Sequence, residues 1–116
     1  MNQFLIFRSN DSVLGVEVSK VSGITAAKEA DELVSASKCM FHIEEDEKYV
    51  VWRGNTGLKV KEVHDVFEIN DIRKIPEMFS ALPFIGISVF EKKLVYLVDF
   101  DGTIEFCLKK GEEYGK

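Results

Sequence analysis

Hydrophobic positions along the chain recur mostly at a spacing of two, in short runs broken by turn residues. That is a strand pattern, because successive side chains on a strand face opposite ways. Phe4-Leu5-Ile6-Phe7 is an unbroken run of strand formers and predicts a strand buried on both faces. Ser9-Asn10-Asp11-Ser12 is turn chemistry, and Gly15-Val16-Glu17-Val18 alternates after it, so this opening predicts a hairpin. A second alternation starts at Tyr49-Val50-Val51-Trp52, turns at Gly54-Asn55-Thr56-Gly57 and leaves through Leu58-Lys59-Val60. Val60, Val63 and Val66 then step by three, which fits a helical turn or a strand that kinks and re-enters a sheet. Phe67-Glu68-Ile69 alternates again.

Between the two hairpins the period changes. Thr25 is a candidate N-cap, and Ala26, Ala27, Ala30, Leu33 and Val34 fall at helical spacing with charged residues opposite. The spacing predicts a short helix from about Ala26 to Ser35. Cys39 to Ile43 has strand character, and Glu44-Glu45-Asp46-Glu47 is expected to be a solvated hairpin tip. A calcium loop would need glycine and regular ligand spacing. Ile72 to Ala81 is expected to be a loop with at most one helical turn around Pro76 to Phe79. The most apolar stretch, Leu82 to Ile104, predicts two buried strands joined by a tight turn, with Asp101-Gly102 as further turn chemistry. Glu105 to Lys109 either extends the last strand or begins a short helix, and residues 110–116 are expected to form a frayed tail.

Composition narrows the function classes. The chain has 116 residues, 46% hydrophobic and 30% charged, so it is expected to be a single domain, 1–116, with its own core. The net charge of −5 and the lack of a Lys/Arg cluster argue against nucleic acid. Cys39 and Cys107 show no Cys-x-x-Cys spacing and are expected to be unbonded thiols in a reducing cytosol. With only His42 and His64 to join them, no metal site and no cofactor are expected. The run Phe4–Phe7 is too short for a signal peptide and Arg8 ends it, and no apolar run is long enough to span a membrane. A cytoplasmic protein without membrane insertion is expected.

The two hairpins match each other. Phe4-Leu5-Ile6-Phe7-Arg8 parallels Tyr49-Val50-Val51-Trp52-Arg53. After a polar turn, longer in the first copy, Gly15-Val16-Glu17-Val18-Ser19-Lys20-Val21 parallels Gly57-Leu58-Lys59-Val60-Lys61-Glu62-Val63. This predicts a duplicated supersecondary unit.

Asp99-Phe100-Asp101-Gly102-Thr103 resembles the nucleophile loop of haloacid dehalogenase-type phosphatases, in which the first Asp attacks and the second is the acid-base. That motif opens a doubly wound α/β domain and needs a Lys and further carboxylates downstream. Residues 105–116 are too few for one crossover helix and strand, and nothing upstream alternates strand with helix. No enzyme is expected, and the phosphatase is the weakest reading.

A broader resemblance covers most of the chain. Gly57-Leu58-Lys59-Val60-Lys61-Glu62-Val63-His64-Asp65-Val66, then Ile72 and Pro76, then Phe84-Ile85-Gly86-Ile87, then Leu94-Val95-Tyr96-Leu97-Val98-Asp99 follow the order found in the second half of the CheW-like domain. Phe4 to Ile24 resembles that family's first hairpin. The resemblance implies a mainly β fold of small antiparallel SH3-like β-barrels, with the hairpins pseudo-repeated and one short helix. It departs from the family at residues 25–48, where an Arg-Gly step and a strand are missing, so the first half is expected to be shortened. The family's members are non-catalytic adaptors of chemotaxis signalling that bind a chemoreceptor tip and the regulatory domain of a histidine kinase. The resemblance therefore implies a protein partner. Trp52, Arg53, Phe67 and Phe90 are the candidate contact residues, although large aromatics are more often core. An unrelated β-barrel that dimerises or binds a small ligand is the alternative.

Overall fold

The computed structural model describes residues 3–27, 33–41, 43–74 and 84–114, with side chains as far as Lys109. In chain order the elements are β1 (Gln3–Ser9), β2 (Ser12–Glu17), a 3-10 turn (Val18–Lys20), β3 (Gly23–Ala26), β4 (Val34–Ser35), α1 (Ala36–Phe41), β5 (Tyr49–Arg53), β6 (Thr56–Val60), β7 (Glu62–Glu68), β8 (Phe84–Phe90), β9 (Lys93–Val98) and α2 (Phe100–Tyr114). They build two sheets, ordered β7-β1-β2-β9-β8 (sheet A) and β3-β5-β6-β4 (sheet B).

The duplication is real, and the two copies exchange strands. Each copy opens with a hairpin, β1–β2 or β5–β6. Each then kinks and sends its next strand to the other sheet: β3 pairs β5, and β7 pairs β1. Each supplies a strand that runs parallel to the other copy's second strand, β4 on β6 and β9 on β2, and continues directly into a helix. Sheet A is completed by β8, which has no counterpart among the described residues of sheet B. The valine steps of three are thus a kink at Lys61 and re-entry as β7.

Apart from β8, the two units share their topology but not their register. Gly15 lies opposite Ile6, whereas Gly57 lies opposite Trp52, one position along the matched strand. A one-residue slip turns every side chain to the other face. Leu5 and Phe7 enter the main core from β1, and from β5 it is Val51. The second strands keep phase, with Val16 and Leu58 both in that core.

The main core lies between the sheets and also takes Phe100 and Ile104 of α2. A smaller core of Phe4, Ile6, Ile69, Val95 and Leu97 lies on the other face of sheet A. The β1 run is therefore buried on both faces, as its composition requires. Sheet A curls about the smaller core until its edge strands touch through Phe67 and Phe90, with ring centroids 4.2 Å apart. The described residues form no ladder between β7 and β8, so the curl stops short of a closed barrel.

Several local expectations are corrected. The helix expected at 26–35 is absent where it is described: Ala26 belongs to β3 and Val34–Ser35 to β4. Pairing with β5 outweighs the helical preference of the alanines. The helix lies instead at Ala36–Phe41, overlapping the start of the strand expected at Cys39 to Ile43. Glu45 and Glu47 are not a solvated tip. Glu45 accepts hydrogen bonds from the Asn10 amide (2.7 Å) and the Ser37 hydroxyl, while Glu47 accepts from the Ser35 hydroxyl and the Ser37 amide. They fasten the start of α1, and burial pushes the Glu47 carboxyl above its ordinary value despite those bonds.

Asp101-Gly102 is not a turn. Asp99 is the N-cap of α2, accepting the Gly102 amide at 3.2 Å, and Asp101 sits in the first turn where the helix dipole favours it. Helical backbone continues through Tyr114, into the segment read as a tail. The real turn of this region is Glu91-Lys92, at φ 50° and 67°, between β8 and β9. Finally, Cys39 and Cys107 are bonded, not free, with Cα atoms 5.4 Å apart. The expectation failed because the bond depends on α1 packing against α2, which sequence spacing does not encode. The loop expected at Pro76 to Phe79 lies outside the described residues.

Candidate protein-binding surface

The four candidate residues fall into two pairs in different places. Trp52 and Arg53 end β5, and the Trp52 indole donates to the Thr25 hydroxyl of β3 at 2.8 Å. Phe67 and Phe90 are half-buried and close the smaller core with their rings in tilted contact. Neither pair meets the other.

Arg53 belongs to an ion network at the start of α2. Its Nε lies 2.9 Å from Asp101 Oδ1, and its Nη2 donates to Oδ2 at 3.3 Å. Lys20 Nζ lies 2.8 Å from Asp99 and 3.8 Å from Asp101. The hydrogen bond from Arg53 holds the Asp101 carboxyl below its ordinary value. The bond to Asp99 raises Lys20, and the bond to Asp101 raises Arg53. The two carboxylates of the phosphatase-like motif thus cap a helix and neutralise two cations from the first unit's kink and the second unit's hairpin. Among the described residues no group of His, Cys, Asp and Glu is placed to hold a metal ion.

The sequence reading missed a group of exposed apolar residues on β8 and β9. The face of β9 that buries Tyr96 and Val98 against the main core continues outward to Leu94, and β8 adds Ile87 and Val89 beside it. Val89 and Leu94 are direct cross-strand partners, 69% and 45% exposed. Ile85, at the register shift in β8, is also exposed. Asp71, Arg73, Ile87, Ser88, Val89 and Leu94 line a cleft of about 150 Å³ beside the pair. Arg73 exchanges both backbone hydrogen bonds with Ile87, at 2.9 Å each, and so covers the middle of the β8 edge. A signal was present in the sequence: residues 84–90 are apolar on both parities, which a strand paired on one side cannot fully bury.

No helix among the described residues is long and apolar enough to cross a membrane. No protein-family model and no curated protein sequence matches the chain. Its structure is similar to the crystal structure of the scaffolding protein TtCheW from Thermoanaerobacter tengcongensis. The TM-score is 0.65 and the identity 16%, over 84% of this chain and 88% of that one. At that identity the likeness establishes the architecture, and the order of motifs from Gly57 to Asp99 agrees with it. The chain has a divergent CheW-like fold, mainly β and built of two SH3-like sheets.

Proposed function

We propose that this chain is a non-catalytic protein-binding adaptor of chemotaxis-type signalling. It works in the cytoplasm without cofactor, nucleic acid or membrane insertion, and couples a chemoreceptor to the regulatory domain of a histidine kinase. The observation that carries the reading is the uncovered Val89–Leu94 pair with its apolar surroundings at the open end of sheet A. A contiguous exposed apolar patch beside polar rim residues is the usual mark of a protein contact. The fold supports the kind of partner, since the structure it resembles is a scaffolding protein. Phe67 and Phe90 back the patch from the opposite face of sheet A and hold β8 in place. Trp52 and Arg53 offer a second, smaller contact on sheet B, at the end of β5.

The test is binding of the full chain to a kinase regulatory domain by calorimetry. Val89→Asp with Leu94→Asp should weaken binding by about tenfold or more, because a charge would be desolvated at the centre of the contact. Trp52→Ala should have a smaller effect. Self-association through the same patch, with no kinase or receptor binding, would replace the adaptor by the dimerising barrel.

A further inference from the structure

We infer that the Cys39–Cys107 bond is a redox-controlled staple that sets the order of α1 and of the second half of α2. The bond joins the two helices that follow the exchanged parallel strands, one from each unit, across a sequence separation of 68. Each helix is anchored at its start and more loosely held beyond it. α1 has six residues, too few for an isolated helix to persist in water. Its start is fixed by buried Ala36 and Ser37 and by the Glu45 and Glu47 hydrogen bonds, and its end rests on the half-buried Met40 and Phe41. α2 is fixed at its start by the Asp99 cap, the Lys20 and Arg53 ion pairs and the buried Phe100 and Ile104. Cys107 is its last buried residue among those described, and Leu108 and Lys109 after it are exposed. The two sheets and the main core are complete without the bond. Reduction therefore loosens the helices and leaves the sheets standing, a division that a staple holding the core itself would not give.

Access to the pair is asymmetric. Cys107 is buried, whereas Cys39 is half-exposed and is the sulfur a soluble reagent meets first. Oxidation proceeds by exchange with a disulfide such as oxidised glutathione. The Cys39 thiolate attacks one of its sulfurs and expels one glutathione thiolate. The Cys107 thiolate then attacks the Cys39 sulfur of the mixed disulfide and expels the second. Two electrons pass from the cysteine pair to the oxidant, and the two cysteine protons end on the two released thiols. Reduction by excess glutathione is the reverse. This inference is independent of any partner.

The experiment equilibrates the full chain in glutathione buffers from reduced to oxidised, then traps thiols with an alkylating agent in denaturant and weighs the product. In parallel, hydrogen exchange is followed at α1 and at residues 105–109. We expect the pair to pass from two alkylated thiols to none across the series. Helix exchange should be about tenfold or more faster in the reduced form, and exchange of β1 and β2 should change by less than about twofold, as for local opening. Cys39→Ser should match the reduced form in every buffer. Should that variant fail to fold, reduced wild type against oxidised wild type gives the same comparison. Thiols that stay alkylatable in oxidised glutathione, a bond that survives excess reduced glutathione, or equal helix exchange in both forms would each overturn the inference.

Discussion

Arg8 and Arg53 close the first strands of the two hairpins, at matching positions of the repeat, and they meet opposite situations. The residue that follows the kink is Glu62 in the second unit and Lys20 in the first. Because the units exchange strands, Arg8 faces Glu62 and bonds it at 2.9 Å. Arg53 faces Lys20, a like charge, and takes only its backbone carbonyl at 3.3 Å. The first junction closes with its own charges. The second holds two cations and needs anions from elsewhere, and Asp99 and Asp101 at the start of α2 supply them. One reversal of charge between the copies thus sets two cations beside the two carboxylates at the start of α2. The same comparison explains an Asp-x-Asp that looks like chemistry and serves as counter-charge and cap.

The largest effect should come from the covalent link between the units. Closing a loop across a separation of 68 restricts the unfolded chain by about 4 kcal/mol in the chain-entropy model. Urea unfolding of the oxidised protein against Cys39→Ser should show a loss of that order. A loss near zero would mean that the bond does not bind the units together in the folded state.

The matched glycines sharpen the register difference. A Cβ on Gly57 would lie 2.5 Å from Val50 Cγ1, 2.8 Å from Leu33 Cδ2 and 3.1 Å from Trp52 Cζ3. On Gly15 it would lie 2.9 Å from Leu97 Cδ2 and 3.1 Å from Ile6 Cδ1, both ends of flexible side chains. Overpacking costs about 1–3 kcal/mol, so Gly57→Ala should fall near the top of that range and Gly15→Ala near the bottom. Equal losses in chemical denaturation would show that the slip does not alter the packing behind the glycines.

The smallest effect is the pH dependence of the second junction. Asp101 has its carboxyl held below its ordinary value, first by the Arg53 hydrogen bond. Its contribution is present above that value and is lost as pH falls through the folded one. Glu47 acts the other way. Its carboxyl is raised above 4.5 by burial, so it favours the folded state as pH falls and loses that contribution as pH rises through its folded value. Urea midpoints measured from pH 5 to pH 3 should fall less steeply for Asp101→Asn than for wild type. An unchanged slope would remove Asp101 from the account of the junction.

The sequence by itself determined what local patterning can specify. Alternating apolar residues and turn chemistry set both hairpins, and the duplicated segments declared the repeat. Phe4 to Phe7, four strand formers in a row, announced a strand buried on both faces. Even the α2 core spacing of Phe100, Ile104 and Cys107 was present, hidden because Asp101-Gly102 also spells a turn. Only the tertiary structure decided the parallel pairings, the strand exchange, the Cys39–Cys107 bond and the uncovered Val89–Leu94 pair. Each depends on which distant strand arrives alongside, and β3 shows the rule in small: alanines at helical spacing became a strand because β5 offered a ladder. Local preference is worth tenths of a kcal/mol per residue. A shared core and a completed sheet outweigh it.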